Sequence, residues 1–177
     1  MKAGVIVALP EELRSLTLKK IRKGNSYSMS DNIIVGYSGA GAKNAQQMAE
    51  HLITEGATCL ISWGCAGALS EDLNPGDLML ATTLLTTDKE EIEIAPDWHT
   101  RTKSLLEHYL PVHTGLLLET KTLVALASDK KRLHFKTDAM ALDMESGAVA
   151  RVAKQHQLPF LAIRVIADPA KMDLPGA

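Results

Sequence analysis

The sequence has few of the residues that mark specialised protein classes. Only two of its 177 residues are cysteines, too few for a disulfide framework, and the spacing of Cys59 and Cys65 matches no zinc site. A net charge of −2 leaves no basic excess, which argues against a protein held on nucleic acid by phosphate contacts. The six histidines lack metal-ligand spacing. We therefore expect no bound metal, no nucleic-acid partner and a cytoplasmic protein.

Long hydrophobic runs are also absent near the N-terminus. The apolar segment at residues 3–9 is too short to span a bilayer. It is followed by Pro10, Glu11 and Glu12, not by a small-residue cleavage site, so we predict a buried first strand. A hydrophobic content of 46% with 23% charged residues is ordinary for a globular protein, and the length suits one domain over residues 1–177.

Short apolar segments alternate with helical patterns, which predicts an α/β architecture. Strands are predicted at residues 4–9, 32–37, 59–63, 77–83, 114–118, 139–143 and 159–166. Helices are predicted at residues 11–18, 42–55, 97–109, 123–135 and 145–156. Residues 59–63 and 159–166 are apolar on both faces and should be central strands, whereas the acidic segment 86–96 should be an exposed loop or sheet edge.

Three carboxylates near the C-terminus form the strongest candidate site. Asp143 and Glu145 flank Met144 at a predicted helix start, and Asp168 closes the apolar segment 160–167. Ligands of α/β proteins bind outside the carboxyl ends of strands, where these acids would suit a polyhydroxylated substrate. Structural roles stay open: Asp143 could cap the helix, Glu145 could favour the helix dipole, and Arg164 could pair with one of the three carboxylates.

Two further candidate segments each connect a predicted strand to a predicted helix. Glu12 could orient water or a ribose hydroxyl, or it could simply favour the dipole of its helix. The segment Ser38-Gly39-Ala-Gly41 could bind an anion at a helix N-terminus or form a tight turn. As a dinucleotide fingerprint it is weak, since Asn44 occupies the third glycine position.

Residues 63–69, after another predicted strand, are predicted to form a loop of small residues that admits a substrate. Cys65, Ala66 and Gly67 lie at its centre. Cys65 offers a weak hydrogen-bond donor, and no neighbouring histidine or lysine would lower its pKa, so an inert thiol is favoured over a nucleophile.

In this order, the segments resemble the purine nucleoside phosphorylase and nucleosidase superfamily, in the branch of the methylthioadenosine/S-adenosylhomocysteine nucleosidases. The resemblance runs from Met1 to Asp168, and residues 1–12 (MKAGVIVALPEE) and 142–150 (LDMESGAVA) look most like hopanoid-associated phosphorylases. It implies a three-layer αβα fold with a central mixed β-sheet, a homo-oligomer and no cofactor, with inorganic phosphate as the co-substrate if the reaction is phosphorolysis. Relatives continue through a loop and helix that cover the base, and we expect this domain to lack that helix after Ala177.

The resemblance also implies roles for individual residues. A protonated Asp168 would donate to N7 of the leaving purine, Glu145 would accept hydrogen bonds from ribose hydroxyls, and Met144 would pack under the sugar. Glu12 would orient the attacking water or hold a hydroxyl. Leu123 and Val124 fall where nucleosidases place residues that hold adenine, with an aromatic side chain that is missing here.

The sequence departs from the family pattern at two places, and the first leaves the nucleophile, water or phosphate, open. Ser62 and Trp63 stand where bacterial phosphorylases carry a phosphate-binding arginine, although Lys43 near the glycine turn could assist. Ala167 replaces a serine that positions the acid in nucleosidases. The implied function is cleavage of the N-glycosidic bond of an adenine nucleoside, and the closer resemblance names adenosylhopane, in hopanoid biosynthesis, as the candidate substrate. The alternatives are a nucleoside-binding protein without turnover and, on Gly39 and Gly41 alone, a dinucleotide-dependent oxidoreductase.

Overall fold

The computed structural model of the protein describes residues 1–175 as an α/β structure. The strands are β1 Ala3–Val7, β2 Ser26–Ser30, β3 Ile33–Tyr37, β4 Cys59–Ala68, β5 Leu78–Leu85, β6 Glu91–Glu93, β7 Val112–Glu119, β8 Ala141–Asp143 and β9 Phe160–Asp168. The helices are α1 Pro10–Leu16, α2 Ala42–Thr54, α3 Pro96–Leu106, α4 Ala127–Thr137 and α5 Ser146–Gln155. Parallel and antiparallel pairs both occur, so the predicted α/β class with a mixed β-sheet is confirmed.

The chain forms two compact units that interleave along the sequence. Unit 1 comprises Met1–Gly64 and Glu145–Ala162, and unit 2 comprises Cys65–Met144 and residues 163–175. The strands β4 and β9 therefore each begin in unit 1 and end in unit 2. A single domain over residues 1–177 stays a prediction, and the expected lack of a helix after Ala177 concerns positions outside the described residues.

Unit 1 contains the strand order β2-β3-β1-β4. The strand β1 pairs in parallel with β3 and with the first half of β4, and β2 pairs antiparallel with β3. The apolar face of α2 is buried as its periodicity predicts, through Ala45, Met48, Ala49 and Leu52. A Cβ atom at Gly36 would lie 2.2 Å from Met48 Sδ, so glycine on β3 is what lets α2 pack this close. The same unit packs α2 against α5.

Unit 2 contains the strand order β4-β8-β7-β5-β6, with β9 paired to β5. The strand β8 is antiparallel to the end of β4 and parallel to β7, which continues in parallel to β5. The parallel register sets Glu119 of β7 opposite Asp143 of β8, so both carboxyl ends point the same way. Within residues 1–175, no helix has the length and apolarity needed to cross a membrane.

Most predicted elements are present, with three corrections. The predicted loop after Trp63 is wrong, because β4 continues as a strand to Ala68, held there by pairing of Gly67 and Ala68 with β8. The helix predicted from residue 123 begins only at Ala127. The strands β2 and β6 were not predicted, although β6 falls in the acidic segment 86–96 and forms the edge expected of it.

Candidate functional site

Asp168 is the last residue of β9, at the carboxyl end where the sequence places it. Its side chain is only 16% exposed. A Cβ atom added to Gly67 would lie 3.1 Å from Oδ2 and 3.3 Å from Oδ1, so the carboxylate rests directly on the backbone of β4. Gly67 and Asp168, singled out separately in the sequence, are therefore neighbours in unit 2. The glycine leaves the space that the carboxylate occupies.

A lysine that the sequence does not single out holds this carboxylate. Lys130 of α4 is fully buried, and its Nζ lies 2.5 Å from Asp168 Oδ2. Nζ also donates to the carbonyl oxygens of Pro169 at 3.1 Å and Met172 at 3.0 Å. These three acceptors match the three N–H bonds of an ammonium group. The buried cation is thus fully satisfied, and Asp168 in this structure is an ion-paired carboxylate.

Asp143 forms a buried ion pair with an arginine of β9. Arg164 on β9 places its Nη2 2.8 Å from Asp143 Oδ2, and both side chains are almost completely buried. This is the pairing that the sequence left open for Arg164, and it ties the end of β8 to β9. The residue at the N-terminal boundary of α5 is Glu145, not Asp143, and it makes no side-chain capping bond. Met144, half-buried, lies between the two acids.

The small residues predicted to form a substrate-admitting loop are part of the strand β4. Cys65 is exposed, Ala66 and Gly67 are buried, and all three belong to the strand. Arg164 Nη1 donates to the carbonyl oxygen of Cys65 at 3.5 Å. Substrate access at these positions would therefore be to the side of an extended strand, not into a mobile loop.

The two residues assigned to the base differ in burial. Leu123 is 66% exposed. Val124 packs against a core cluster that contains Leu69 and Leu142. Both precede α4 in an irregular segment whose end is anchored, because Leu174 N–H donates to the carbonyl oxygen of Ala125 at 2.9 Å.

In unit 1, Glu12 is a buried acid in the first turn of α1. Its Oε2 accepts hydrogen bonds from the backbone N–H groups of Ala8 at 2.9 Å and Leu9 at 3.0 Å. These amides lie just beyond the carboxyl end of β1, so the carboxylate is fixed where the first strand meets its helix. The helix-terminal role weighed for Glu12 is realised through one oxygen of the carboxylate.

Glu145 also binds a backbone amide through one carboxylate oxygen. The N–H of Gly41 donates to Glu145 Oε1 at 2.8 Å. Gly41 is the boundary residue of α2, with a positive φ of 96°, so the carboxylate lies at a helix N-terminus where the dipole favours negative charge. The anion that the glycine turn attracts in this structure is a side chain of the same unit.

The other residues considered for anion binding surround the glycine turn and the middle of β4. Gly39 has a φ of 81°, and a Cβ atom there would lie 2.1 Å from Lys23 Cε, so the turn needs glycine and a lysine stem covers it. Lys43 in the first turn of α2 is exposed. Where phosphorylases carry an arginine, Ser62 is buried and accepts a hydrogen bond from Ser146 Oγ at 3.1 Å. Trp63 donates from its indole N–H to Ser15 Oγ at 3.0 Å.

Two side chains outside the candidate site, Cys59 and Glu71, have shifted pKa values. Burial raises the pKa of the Cys59 thiol, which lies at the start of β4. The Lys171 ammonium, 2.7 Å from Glu71, holds the pKa of that exposed carboxyl below its ordinary value. Among residues 1–175 no group of three or more histidine, cysteine, aspartate or glutamate side chains is arranged to hold a metal ion.

Lys130 is the one element of this arrangement that sequence reasoning missed. It begins the run Lys130-Lys131-Arg132, which is typical of a solvated helix face. A signal was present in the helical spacing, because Lys130 and the partly buried Leu133 are three residues apart and share a face. A lysine on the core-facing side of a helix needs a buried partner.

Comparison with known proteins agrees with this fold. The profile of a family described as the Phosphorylase superfamily matches residues 2–176. A 5′-methylthioadenosine/S-adenosylhomocysteine nucleosidase from Staphylococcus carnosus is 25% identical, over 94% of this chain and 86% of the relative. The crystal structure of a nucleosidase of the same name from Helicobacter pylori, complexed with a substituted pyrrolidinol, is 25% identical with a TM-score of 0.84, over 96% of this chain and 86% of that one.

Futalosine hydrolase from Helicobacter pylori has the same fold, at 23% identity and a TM-score of 0.82 over 96% of this chain and 85% of the hydrolase. The resemblance stated from the sequence motifs is therefore confirmed at the level of superfamily and fold. The profile match spans nearly the whole chain, which belongs to the phosphorylase superfamily.

Proposed function

We propose that the protein cleaves the N-glycosidic bond of an adenine nucleoside. The observation that carries this proposal is that Asp168, Glu12 and Glu145 are each held in place by a contact within their own unit. Carboxylates fixed in this way lose little side-chain freedom when they meet a substrate. The nucleosidase relatives at 25% identity support the reaction class.

In this proposal each acid has a separate task. Asp168 protonates N7 of the purine as the bond to the ribose breaks, so the base leaves neutral. Glu145 accepts hydrogen bonds from ribose hydroxyls, and Met144 packs under the sugar. Glu12 orients the nucleophile. Cys65, Ala66 and Gly67 line the substrate, while Leu123 and Val124 contact the base.

Water is the nucleophile that the contacts of unit 1 favour. The positions that carry the arginine in phosphorylases are occupied by Ser62 and Trp63, and both make hydrogen bonds to protein side chains. The N–H of Gly41 is bonded to Glu145. Hydrolysis needs no anion site, whereas phosphorolysis would need one built around the exposed Lys43.

The identity of the nucleoside is a finer proposal. Adenosylhopane rests on the resemblance of residues 1–12 and 142–150 to hopanoid-associated phosphorylases. Exposed apolar side chains at Leu123 and Leu126, next to the segment assigned to the base, are compatible with a lipid substituent on the ribose. The cytoplasmic location and the homo-oligomeric state stay predictions.

One observation favours the alternative of a nucleoside-binding protein without turnover. Asp168 is paired with Lys130, and an ion-paired carboxylate carries no proton to give to the base. Binding of a nucleoside needs no such proton, whereas turnover requires Asp168 to be loaded with one.

Release of adenine tests the proposal. Adenosine, methylthioadenosine and adenosylhopane are incubated with the protein, with and without phosphate, and free adenine and sugar products are separated by chromatography. We expect release without phosphate, and a loss of about 10²–10⁴-fold in Asp168→Asn. Formation of ribose-1-phosphate in the presence of phosphate would show that the reaction is phosphorolysis and not hydrolysis. Nucleoside binding without any adenine, or near-normal activity of Asp168→Asn, would refute the assignment.

A further inference from the structure

Lys130 is a buried cation whose contacts are concentrated on the candidate acid. Its side chain has no exposed surface, and Asp168 Oδ2 lies 2.5 Å from Nζ. Asp168 Oδ1 has no hydrogen-bond partner among residues 1–175, and this side chain keeps 16% of its surface exposed. The lysine therefore occupies one oxygen of the carboxylate, and the other is available to a ligand.

The backbone after Asp168 is tied to the same lysine. Nζ binds the carbonyl oxygens of Pro169 and Met172. Asp173 accepts a hydrogen bond from Ala127 N–H at 2.7 Å, which fixes the segment to the N-terminus of α4. A buried ammonium with three acceptors costs much less than one with an unsatisfied N–H bond, so this arrangement resists movement.

A second contact limits the space around the carboxylate. The Cα of Gly67 faces both oxygens of Asp168, and a Cβ there would approach Oδ2 to 3.1 Å. The acid is thus in contact with both a lysine and a glycine backbone. Either neighbour can be altered without changing Asp168 itself.

From this geometry we propose that Lys130 is the positioning residue of the acid: it fixes Asp168 Oδ2, leaves Oδ1 for the purine, and stabilises the carboxylate that proton transfer leaves behind. This inference rests on the proposed function. A donor that is already in place where negative charge develops lowers the barrier without reorganisation.

The step balances in protons and electrons. A proton from water first loads Asp168 as a carboxylic acid, whose Oδ2 still accepts from Lys130. The C1′–N9 bond then breaks, its electron pair passes to the purine, and N7 takes the proton from Oδ1. Asp168 returns to a carboxylate paired with the Lys130 ammonium, which keeps all of its protons. The attacking water gives its oxygen to C1′ and its proton replaces the one that Asp168 lost.

The test measures kcat and KM for adenine release in Lys130→Met. Methionine has a similar length but carries no charge and donates no hydrogen bond. We expect kcat to fall by about 10²-fold and KM to change by less than about threefold, because the contact matters most when the carboxylate forms. The matched control is Lys131→Met, which removes the exposed neighbouring lysine and should leave both constants unchanged.

Combining Lys130→Met with Asp168→Asn distinguishes a positioning role of Lys130 from a purely structural one. If Lys130 acts through Asp168, Lys130→Met should cost less than about threefold in an Asp168→Asn background, since contacting residues are not additive. An equal cost in both backgrounds, or near-normal kcat in Lys130→Met, would overturn the inference. Thermal unfolding verifies the fold, and if Lys130→Met does not fold, Lys130→Arg decides: retention of turnover supports the need for a cation, and a loss of the size expected for methionine contradicts it.

The outcome also distinguishes this inference from the proposed function. If the wild-type protein releases no adenine from any of the nucleosides, the proposed function fails and Lys130 has no acid to position. If the wild-type protein is active and Asp168→Asn is impaired while Lys130→Met is not, only the inference about Lys130 fails.

Discussion

Breaking the buried ion pair between Arg164 and Asp143 should destabilise the protein more than any loss of a surface contact. Nη2 of Arg164 lies 2.8 Å from Oδ2 of Asp143, and the two side chains are only 2% and 1% exposed. The substitution Arg164→Met keeps the apolar length of the side chain and removes its charge. It leaves the Asp143 carboxylate buried without its cation, which is the costly part of the change.

The burial of both side chains determines how much unfolding free energy Arg164→Met should lose. Removal of one partner from a buried pair costs about 3–5 kcal/mol of unfolding free energy. For a protein of this length, each kcal/mol lowers Tm by about 2–4 °C, so Arg164→Met should melt about 6–20 °C below wild type. Because a whole domain is stabilised by about 5–15 kcal/mol, a large part of the stability is at stake.

The assay is thermal unfolding followed by circular dichroism, with urea unfolding to obtain the free energy. The matched control is Arg132→Met, since Arg132 pairs with Asp129 at the same 2.8 Å but is 76% exposed. That exposed pair should contribute less than about 1 kcal/mol. The double variant Arg164→Met with Asp143→Leu should recover most of the stability, because both members of the buried ion pair are then replaced by apolar side chains. A loss below about 1 kcal/mol in Arg164→Met would refute the reasoning.

Further predictions concern the acid, the thiols and the nucleophile. Gly67→Ala should lower kcat by about tenfold or more with little change in KM, because its Cβ would displace the Asp168 carboxylate, and unchanged kinetics would contradict this contact. In the native protein a thiol reagent at about pH 8 should label exposed Cys65 quickly and Cys59 slowly, because Cys59 is buried and its raised pKa leaves less of the reactive thiolate. The substitution Cys65→Ser should abolish the fast phase of labelling, and bound adenosine should slow that phase. Glu12→Gln should reduce kcat for adenine release by about 10²-fold or more, whereas substitution of the exposed Glu11 should not.

The sequence by itself determined the order and class of most elements. Apolar segments such as β9 and the amphipathic face of α2 are local patterns, and burial of one face is enough to select strand or helix. Asp168 at the end of an apolar strand was identifiable for the same reason. Sequence patterns failed at the end of β4, because Gly64, Ala66 and Gly67 have weak β-propensity and the strand is extended by cross-strand pairing, such as that of Gly67 and Ala68 with β8.

The tertiary structure decided which partner each charged group meets. Glu145 binds the amide of Gly41, 104 residues away, and Lys130 binds Asp168, 38 residues away. No local pattern specifies such pairs, because the gain depends on burial and on carbonyl oxygens that the fold alone brings to the ammonium. The sequence showed where the acids are, and the packing of α4 against the residues after β9 determined that one of them is held by a buried cation.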